Sequence, residues 1–114
     1  MSYDDLCEVV ITAPDSDWLT EFTRRLICDR LCACAHNFKE IRSIYRWQGT
    51  VHDEREARAA LHTRRTLVPS IVERVDSQHP YEVACTIALP LVDGSNAYAQ
   101  WIRDETNAPL TRGL

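Results

Sequence analysis

The chain has few of the sequence features that mark an enzyme or a membrane protein. Only 3 glycines occur among its 114 residues, which leaves no glycine-rich loop to hold the phosphates of a nucleotide. The sharp turn that presents a catalytic serine is missing, as is a patterned pair of catalytic carboxylates. No apolar run approaches the roughly 20 residues that a membrane-spanning helix needs. These absences favour a non-enzymatic protein without a membrane span.

Charge and length narrow the class further. The net charge is −4 at pH 7, so the chain offers no basic footprint for nucleic acid. A length of 114 residues is typical of one domain. We therefore predict a single domain over residues 1–114, with its core at about 6–104 and a loose tail at 105–114.

The cysteines and the first residues indicate a compartment. The chain has 5 cysteines, an odd number. The segment Met1–Asp5 is acidic and carries no apolar signal core. Without a signal peptide, an odd cysteine count indicates reduced thiols rather than a disulfide framework. We therefore expect a cytoplasmic protein.

Apolar periodicity predicts a strand, a helix and a second strand in the first half. Leu6–Ile11 is short, apolar and β-branched, which is typical of a strand. Asp15 or Ser16 can cap a helix that runs to about Leu31. From Ala33 to Trp47 the pattern is extended with apolar residues on both faces, so this strand is either buried or meets a partner. The helix is predicted to face the core with residues at near-helical spacing, namely Trp18, Leu19, Phe22, Leu26 and Leu31.

The second half begins with an ambiguous segment. Asp53–His62 is rich in alanine, glutamate and arginine, and its propensity alone predicts a helix. Thr66 can cap a further helix that tolerates Pro69 in its first turn. Val83–Leu91 alternates like a half-buried strand, and its small residues Ala84, Thr86 and Ala88 could lie under a helix or against another sheet. A last helix is predicted from a capping serine and three apolar residues, namely Ser95, Tyr98, Trp101 and Ile102.

Two motifs are the most informative for finding the family that the chain resembles. They are Ile44-Tyr45-Arg46-Trp47-Gln48-Gly49, which ends in a turn, and His79-Pro80-Tyr81-Glu82, which lies where a helix must stop because proline cannot continue it. Thr12-Ala13-Pro14-Asp15 and Leu31-Cys32-Ala33-Cys34-Ala35 precede them. In this order and at this separation the motifs resemble the CutA divalent-cation tolerance family, from roughly Glu8 to Ile102.

The resemblance implies both a fold and an assembly. The fold is α+β, a ferredoxin-like β-α-β-β-α-β sandwich with an added C-terminal helix. It implies that residues ~54–65 form a strand against their helix propensity, because tertiary context outweighs local preference. It also implies a homotrimer similar in architecture to the PII-type signalling proteins. A long hairpin that carries Tyr45 and Trp47 is compatible with a trimer, because an isolated hairpin is marginal in water.

The family name suggests metal, copper above all. The resemblance places the family's usual ligands at Ile11, Gln78 and Cys85, none of which is the residue type that the family has there. Cys85 together with His79 remains a weak candidate pair, since thiolate and imidazole suit copper. The alternative is that Cys85 is a core residue, and we favour it. The Cys32-Ala33-Cys34 pair, with two thiols on one face if extended, is a poor zinc signature and is better explained by burial.

The two motifs can also build a pocket between subunits. The alternative is that these side chains only satisfy buried backbone groups at an interface. The chain departs from the family pattern at His62, where the family has lysine, and at Ala84, where it has proline, and these departures weaken any expectation of anion binding. The pocket candidates come from both motifs and the strand between them, namely His79, Tyr81, Glu82, Tyr45, Trp47 and Glu56.

Two functions from different classes follow. The first is a non-enzymatic homotrimer linked to tolerance of divalent metal ions, which binds copper or another divalent cation weakly and needs no obligatory cofactor. The second is a PII-like small-molecule sensor or assembly scaffold for which metal is incidental. An enzyme is the third and least supported reading. Fold does not imply function, so the metal expectation rests on the resemblance.

Overall fold

A computed structural model describes residues 2–108, and in this part of the chain strands and helices follow the predicted β-α-β-β-α-β order with one further helix. The α+β class is confirmed. A 3₁₀ turn at Arg65–Leu67 precedes the second helix. The elements are β1 Leu6–Ala13, α1 Ser16–Cys28, β2 Cys34–Trp47, β3 Thr50–Arg64, α2 Val68–Gln78, β4 Thr86–Pro90 and α3 Asn96–Glu105.

The four strands form one antiparallel sheet in the order β2-β3-β1-β4. β3 lies between β2 and β1, and its residues Ala57 to Arg64 pair with β1. Ladder hydrogen bonds on both sides and burial of Ala57, Ala59 and Leu61 hold this segment extended. The strand implied by the resemblance is therefore confirmed over the helix that propensity alone would give.

A two-residue turn joins β2 to β3. Trp47 pairs with Thr50 across it, and the two residues between them, Gln48 and Gly49, have φ values of 49° and 80°. Positive φ at both central positions is the requirement of a type I′ hairpin turn, whose twist matches that of the strands. The Gln48-Gly49 pair therefore fixes the register of the hairpin.

A bulge in β2 decides which side chains share a face. Phe38 pairs with Arg58 and Ile41 pairs with Glu56, so β2 carries one extra residue between them. Because side chains alternate along a strand, the insertion switches the numbering of each face. Before the bulge the even-numbered residues of β2 lie on the face that α3 covers, and after it the odd-numbered residues do. We call this the α3 face.

The main core lies on the opposite face, under α1 and α2. Leu19, Phe22 and Leu26 of α1 are fully buried there, as predicted, and Ile71 and Val75 of α2 lie beside them. A smaller core on the α3 face contains Leu6, Ala33, Ala99 and Ile102. The side chains of Asp15 and Ser95 cap α1 and α3 by accepting hydrogen bonds from Asp17 N and Tyr98 N, which confirms both predicted caps.

The predicted ends of two helices were wrong. α1 stops at Cys28 rather than Leu31, because Arg30 adopts a left-handed conformation with φ 61° and the amides of Arg30 and Leu31 bond back to Ile27 and Leu26. This is a Schellman motif, which satisfies the last carbonyl groups of the helix. Thr66 does not cap α2, since it lies inside the 3₁₀ turn and no side chain caps that helix.

The last strand is shorter than predicted, and its large apolar side chains are exposed. β4 begins at Thr86 instead of Val83, because residues 79–85 are irregular after Pro80 ends α2. Val83, Ile87 and Leu89 are 66%, 53% and 44% exposed, whereas the small side chain of Ala84 packs against the main core. Ile87 and Leu89 pair with Val10 and Glu8 of β1 and lie on a part of the α3 face that α3 does not cover.

The hairpin of β2 and β3 extends beyond both helical layers. The molecule measures 49 × 32 × 25 Å with a radius of gyration of 15.2 Å, against about 13 Å for a compact domain of this length. Ile44 and Val51 at its far end are 65% and 58% exposed. No helix within residues 2–108 has the length and apolarity that a bilayer span requires.

The segment after α3 is partly tied down. Thr106 is 3% exposed, and Asn107 donates to the carbonyl groups of Asp29 and Arg30. The beginning of the predicted tail therefore packs against the end of α1. The rest of the tail, residues 109–114, lies outside the described part of the chain, as does Met1.

Candidate functional site

The two motifs of the sequence meet in one cleft of about 540 Å³. Its walls are the far part of the hairpin and the irregular loop before β4, and its floor includes Thr12 at the end of β1. A volume of this size is in the range of small-molecule sites. The lining residues are Thr12, Ser43, Tyr45, Trp47, Gln48, Glu56, Pro80, Tyr81, Glu82, Val83 and Cys85.

The hairpin wall is organised around Tyr45. Its hydroxyl donates to Glu54 Oε2 at 2.9 Å, and its ring stacks on His52 with 5.2 Å between the ring centroids. The hydrogen bond to Glu54 raises the pKa of the Tyr45 phenol, because the carboxylate prefers the protonated hydroxyl. The bulge in β2 places Tyr45 and Trp47 on the same face as Glu56, which explains how they come to share the cleft.

The loop wall presents Tyr81 and Glu82. Burial, followed by the negative charge of Glu56, raises the pKa of Tyr81 to about 12. Glu56 itself is only 7% exposed. Of the six predicted pocket residues, the structure thus brings five into one cleft, namely Tyr45, Trp47, Glu56, Tyr81 and Glu82.

The sixth residue, His79, lies behind the loop wall. Its Nε2 is 2.7 Å from the carbonyl oxygen of Thr12, and its Nδ1 accepts from the backbone N–H of Tyr81 at 3.0 Å. Nε2 therefore carries the hydrogen and donates it. Trp18 packs edge-on against the ring. His79 holds the loop that carries Tyr81, and both of its nitrogens are already used by backbone groups.

The surroundings of Cys85 and of the expected metal-ligand positions differ from the prediction. Cys85 is exposed rather than a core residue and lines the cleft. Of the other two positions where the resemblance puts metal ligands, Ile11 is fully buried in the main core and the side chain of Gln78 accepts a hydrogen bond from Arg25. The residues present therefore do not fit the copper set that the resemblance implies.

The Cys32-Ala33-Cys34 pair does not present two thiols on one face. Cys32 precedes β2 and is fully buried in the main core, where burial raises the pKa of its thiol to about 12. Cys34 is the first residue of β2 and lies on the α3 face, with its Sγ 3.1 Å from the hydroxyl of Tyr98. The predicted structural role fits Cys32, whereas Cys34 has a polar environment.

Sequence reasoning missed a second polar cluster, around Cys34. One ligand atom from each of Cys34, His36 and His62 lies within 4.8 Å of the others. His62 is the pairing partner of Cys34 across β2 and β3. Burial lowers the pKa of His62, so burial favours the neutral imidazole. The signal in the sequence was Cys34-Ala35-His36, which puts a thiol and an imidazole on one face of a strand.

Comparison with protein families and curated proteins gives one consistent result. A profile of the family described as CutA1 divalent ion tolerance protein matches residues 7–105. The chain is similar to "Protein CutA" of Homo sapiens, 38% identical over 98 residues that cover 86% of this chain and 55% of the human protein. It is also similar to "Divalent-cation tolerance protein CutA" of Thermus thermophilus, 36% identical over 98 residues that cover 86% of this chain and 95% of that protein. The chain thus spans little more than half the length of the human relative.

Solved structures agree with this comparison. CutA1 from Oryza sativa superposes with a TM-score of 0.88 at 28% identity, over 92% of this chain and 96% of that chain. The divalent cation tolerance protein of Thermus thermophilus gives a TM-score of 0.86 at 34% identity, over 90% of this chain and 99% of that chain. The four-stranded antiparallel sheet and three helices are therefore those of known CutA1 structures.

Proposed function

Since this chain belongs to the CutA1 divalent ion tolerance family, we propose that it acts as a non-enzymatic homotrimer in the tolerance of divalent metal ions, copper among them. The family supports a role in metal tolerance. The trimer, the weak binding of cations and the absence of catalysis are our proposals for this chain. We place the role in the cytoplasm, because its five cysteines are free and reduced thiols are typical of that compartment.

The charge of the cleft is the observation that carries the proposal. Two carboxylates, Glu56 and Glu82, two phenols and the thiol of Cys85 line it, and among the described residues that line it there is no lysine, arginine or histidine. Such a lining attracts cations and repels anions such as phosphate esters. This favours a cation over the anionic ligand that a PII-like sensor of nucleotides would need.

Binding in the cleft is expected to be weak. Stable metal sites have three or four protein ligands at fixed distances, whereas the cleft offers the carboxylates of Glu56 and Glu82 and one thiol. The nearby His79 cannot add a ligand without giving up its bonds to Thr12 and Tyr81. We therefore expect weak binding, with Cys85 and Glu56 as the main contributors.

The trimer is supported by apolar surface that the single chain leaves uncovered. β4 is an edge strand with free backbone groups on one side, and such edges pair readily with another chain. Large apolar side chains that a single chain leaves exposed on two faces of its sheet can be buried by neighbouring copies. On the hairpin and β4 they are Phe38, Ile44, Trp47, Val51, Ile87 and Leu89.

Calorimetry with Cu²⁺ and Zn²⁺ tests cation binding in the cleft. The titrations use a Cys34→Ser background, so that the cluster around Cys34 does not contribute, with further Cys85→Ser and Glu56→Gln variants. We expect weak binding that each further change reduces. Glu21→Gln, at an exposed position on α1, is the matched control and should change nothing. Binding that is unaffected by both cleft variants would refute the cleft assignment.

A growth assay tests the role itself. Cells that lack the protein are expected to grow less well in elevated copper than cells that carry it, and the Cys85→Ser, Glu56→Gln double variant should restore growth only in part. Equal growth of all strains would contradict the role in tolerance, whatever the calorimetry shows. Tight binding of a metabolite in the cleft would instead support the sensor hypothesis.

A further inference from the structure

A second metal site is built into the α3 face, at the other end of the sheet from the cleft. Cys34 and His36 are two residues apart on β2, so their side chains lie on one face. His62 of β3 pairs directly with Cys34. Along β3, His62 is six residues from Glu56 of the cleft, about 20 Å at the rise of a strand. The two sites are therefore separate.

The distances already approach those of a coordinated ion. Cys34 Sγ is 3.5 Å from His62 Nδ1. A tetrahedral ion with a sulfur ligand at about 2.3 Å and a nitrogen ligand at about 2.0 Å separates those two atoms by about 3.5 Å. His36 completes a set whose members lie within 4.8 Å of one another. Its side chain is exposed, so core packing does not oppose a change of its rotamer on binding an ion.

Neighbouring groups orient the His62 ring so that one of its nitrogens faces Cys34. Its Nε2 faces Glu8 Oε2 of β1 at 3.9 Å, which leaves Nδ1 directed at Cys34 and at the hydroxyl of Tyr98, 2.5 Å away. A carboxylate behind a ligating imidazole commonly orients it, and Glu8 is on that side of the ring, at a distance longer than a hydrogen bond. The Tyr98 hydroxyl contacts both His62 Nδ1 and Cys34 Sγ, so an ion that binds these two atoms replaces their contacts with the hydroxyl.

The donor set selects the kind of ion. One thiolate with two imidazoles is a soft to borderline set, suited to Cu(I) and Zn(II) and poorly suited to Mg²⁺ or Ca²⁺, which prefer oxygen. The exposed side of His36 gives an entry path from solvent. We propose that Cys34, His36 and His62 form a binding site for a thiophilic ion, Cu(I) or Zn(II), held beneath α3 and independent of the cleft.

Metal titrations of the reduced full-length protein test the site. Co²⁺ is the spectroscopic probe, because a cysteine ligand gives it a thiolate charge-transfer band, and Zn²⁺ and Cu(I) are titrated against chromophoric chelators. We expect one equivalent per chain. Cys34→Ser should abolish the band, and both Cys34→Ser and His36→Gln should weaken binding by at least about tenfold, the loss that removal of even an outer hydrogen-bond partner of a ligand causes.

Controls separate this site from the cleft and from general damage. Cys28→Ser removes an exposed thiol on α1 and should leave the band and the affinities unchanged. His36→Gln changes an exposed side chain, so it decides the question if Cys34→Ser fails to fold. A band that survives Cys34→Ser but disappears in Cys85→Ser would refute the site around Cys34 and support the cleft. The absence of any stoichiometric binding would also refute the site around Cys34.

Discussion

His79 Nε2 donates to the carbonyl oxygen of Thr12 at 2.7 Å, and this bond ties the loop before β4 to the end of β1. The other ring nitrogen accepts from the N–H of Tyr81. A side chain that is 9% exposed thus satisfies two backbone groups at the cleft wall. Loss of a buried partner leaves such groups without a hydrogen bond, which is more costly than the bond itself is stabilising.

We therefore predict that His79→Ala lowers the free energy of unfolding by about 2 kcal/mol. The N–H of Tyr81 should exchange with solvent faster, because it loses its acceptor. Urea unfolding and amide exchange measured by NMR provide the two readouts. Gln78→Ala, one residue earlier and exposed, is the control and should cost little. Unchanged exchange at Tyr81 in His79→Ala would contradict the assigned role.

The hairpin turn offers a prediction in the stabilising direction. Gln48 holds a left-handed conformation that asparagine adopts more readily, so Gln48→Asn should raise the free energy of unfolding by about 0.5 kcal/mol. Gly49→Ala should lower it by about 1 kcal/mol. A Cβ at Gly49 would meet nothing within 4 Å, so that loss reports the backbone alone. Thermal unfolding checks both, and opposite signs are required.

Two tryptophans are predicted to differ in their effect on the proposed trimer. Trp47, 38% exposed at the end of β2, is expected to anchor the trimer, since aromatic side chains dominate interface energies. Trp18 stacks on Phe22 inside one chain. Light scattering should show Trp47→Ala dissociating from about 39 kDa, three copies of the 13.1 kDa chain. Trp18→Ala should remain trimeric while losing about 3 kcal/mol of stability. The reverse pattern would show that the faces are wrongly assigned.

The ion pair between Asp5 and Arg103 predicts a pH dependence. Hydrogen bonds from Arg103 lower the pKa of Asp5 below its ordinary 3.8, and the charge of Arg64 acts in the same direction. A depressed folded pKa stabilises the fold above pH 3.8 and loses that contribution as the pH falls through the folded pKa. Because Asp5 is half-exposed, the contribution should stay below about 1 kcal/mol.

The variant Asp5→Asn measures this contribution. At pH 7 and low salt it should unfold at a lower urea concentration than the wild type. The difference should shrink as the pH drops below about 4, and also in high salt because exposed charges are screened. Asp4→Asn is the neighbouring control. A difference that grew towards acid pH would show the wrong sign for the linkage.

The order of the secondary-structure elements was predictable from the sequence, whereas the residues at which they end were not. Apolar periodicity located α1 and its core residues, and the capping serine of α3 was identifiable from the sequence. The end of α1 was missed because Arg30 takes a left-handed conformation that usually indicates glycine. The strand character of Asp53–His62 came from the resemblance, because its propensity favours a helix and only pairing with β1 and β2 reverses it.

The site was predictable where it follows from local motifs. Tyr45, Trp47 and Tyr81 were correctly expected to share a pocket. Cys85 was expected in the core because the alternation along Val83–Leu91 suggested burial. The large apolar side chains of that segment instead lie on a surface that the single chain leaves uncovered. A second subunit that buried those side chains would account for the alternation. A single sequence does not show where a second subunit binds.

The cluster around Cys34 depends on register. His62 is separated from Cys34 by 28 positions in the sequence, and the two meet only because the turn at Gln48-Gly49 and the bulge after Phe38 set the pairing of β2 with β3. A shift of one residue would send His62 to the opposite face. Local periodicity is insensitive to such a shift, so the cluster could not be derived from the chain alone.

The short turn between β2 and β3 also sets an order of events in time. Two strands joined by two residues can pair within microseconds, whereas β1 must wait for α1 and the whole hairpin to be synthesised before it can find β3. A nascent chain therefore exposes its hairpin before the sheet is complete, and unfinished copies can meet through the side chains that we propose finished copies bury in the trimer. Yield on overproduction should consequently fall with rate of synthesis more steeply than native stability would suggest.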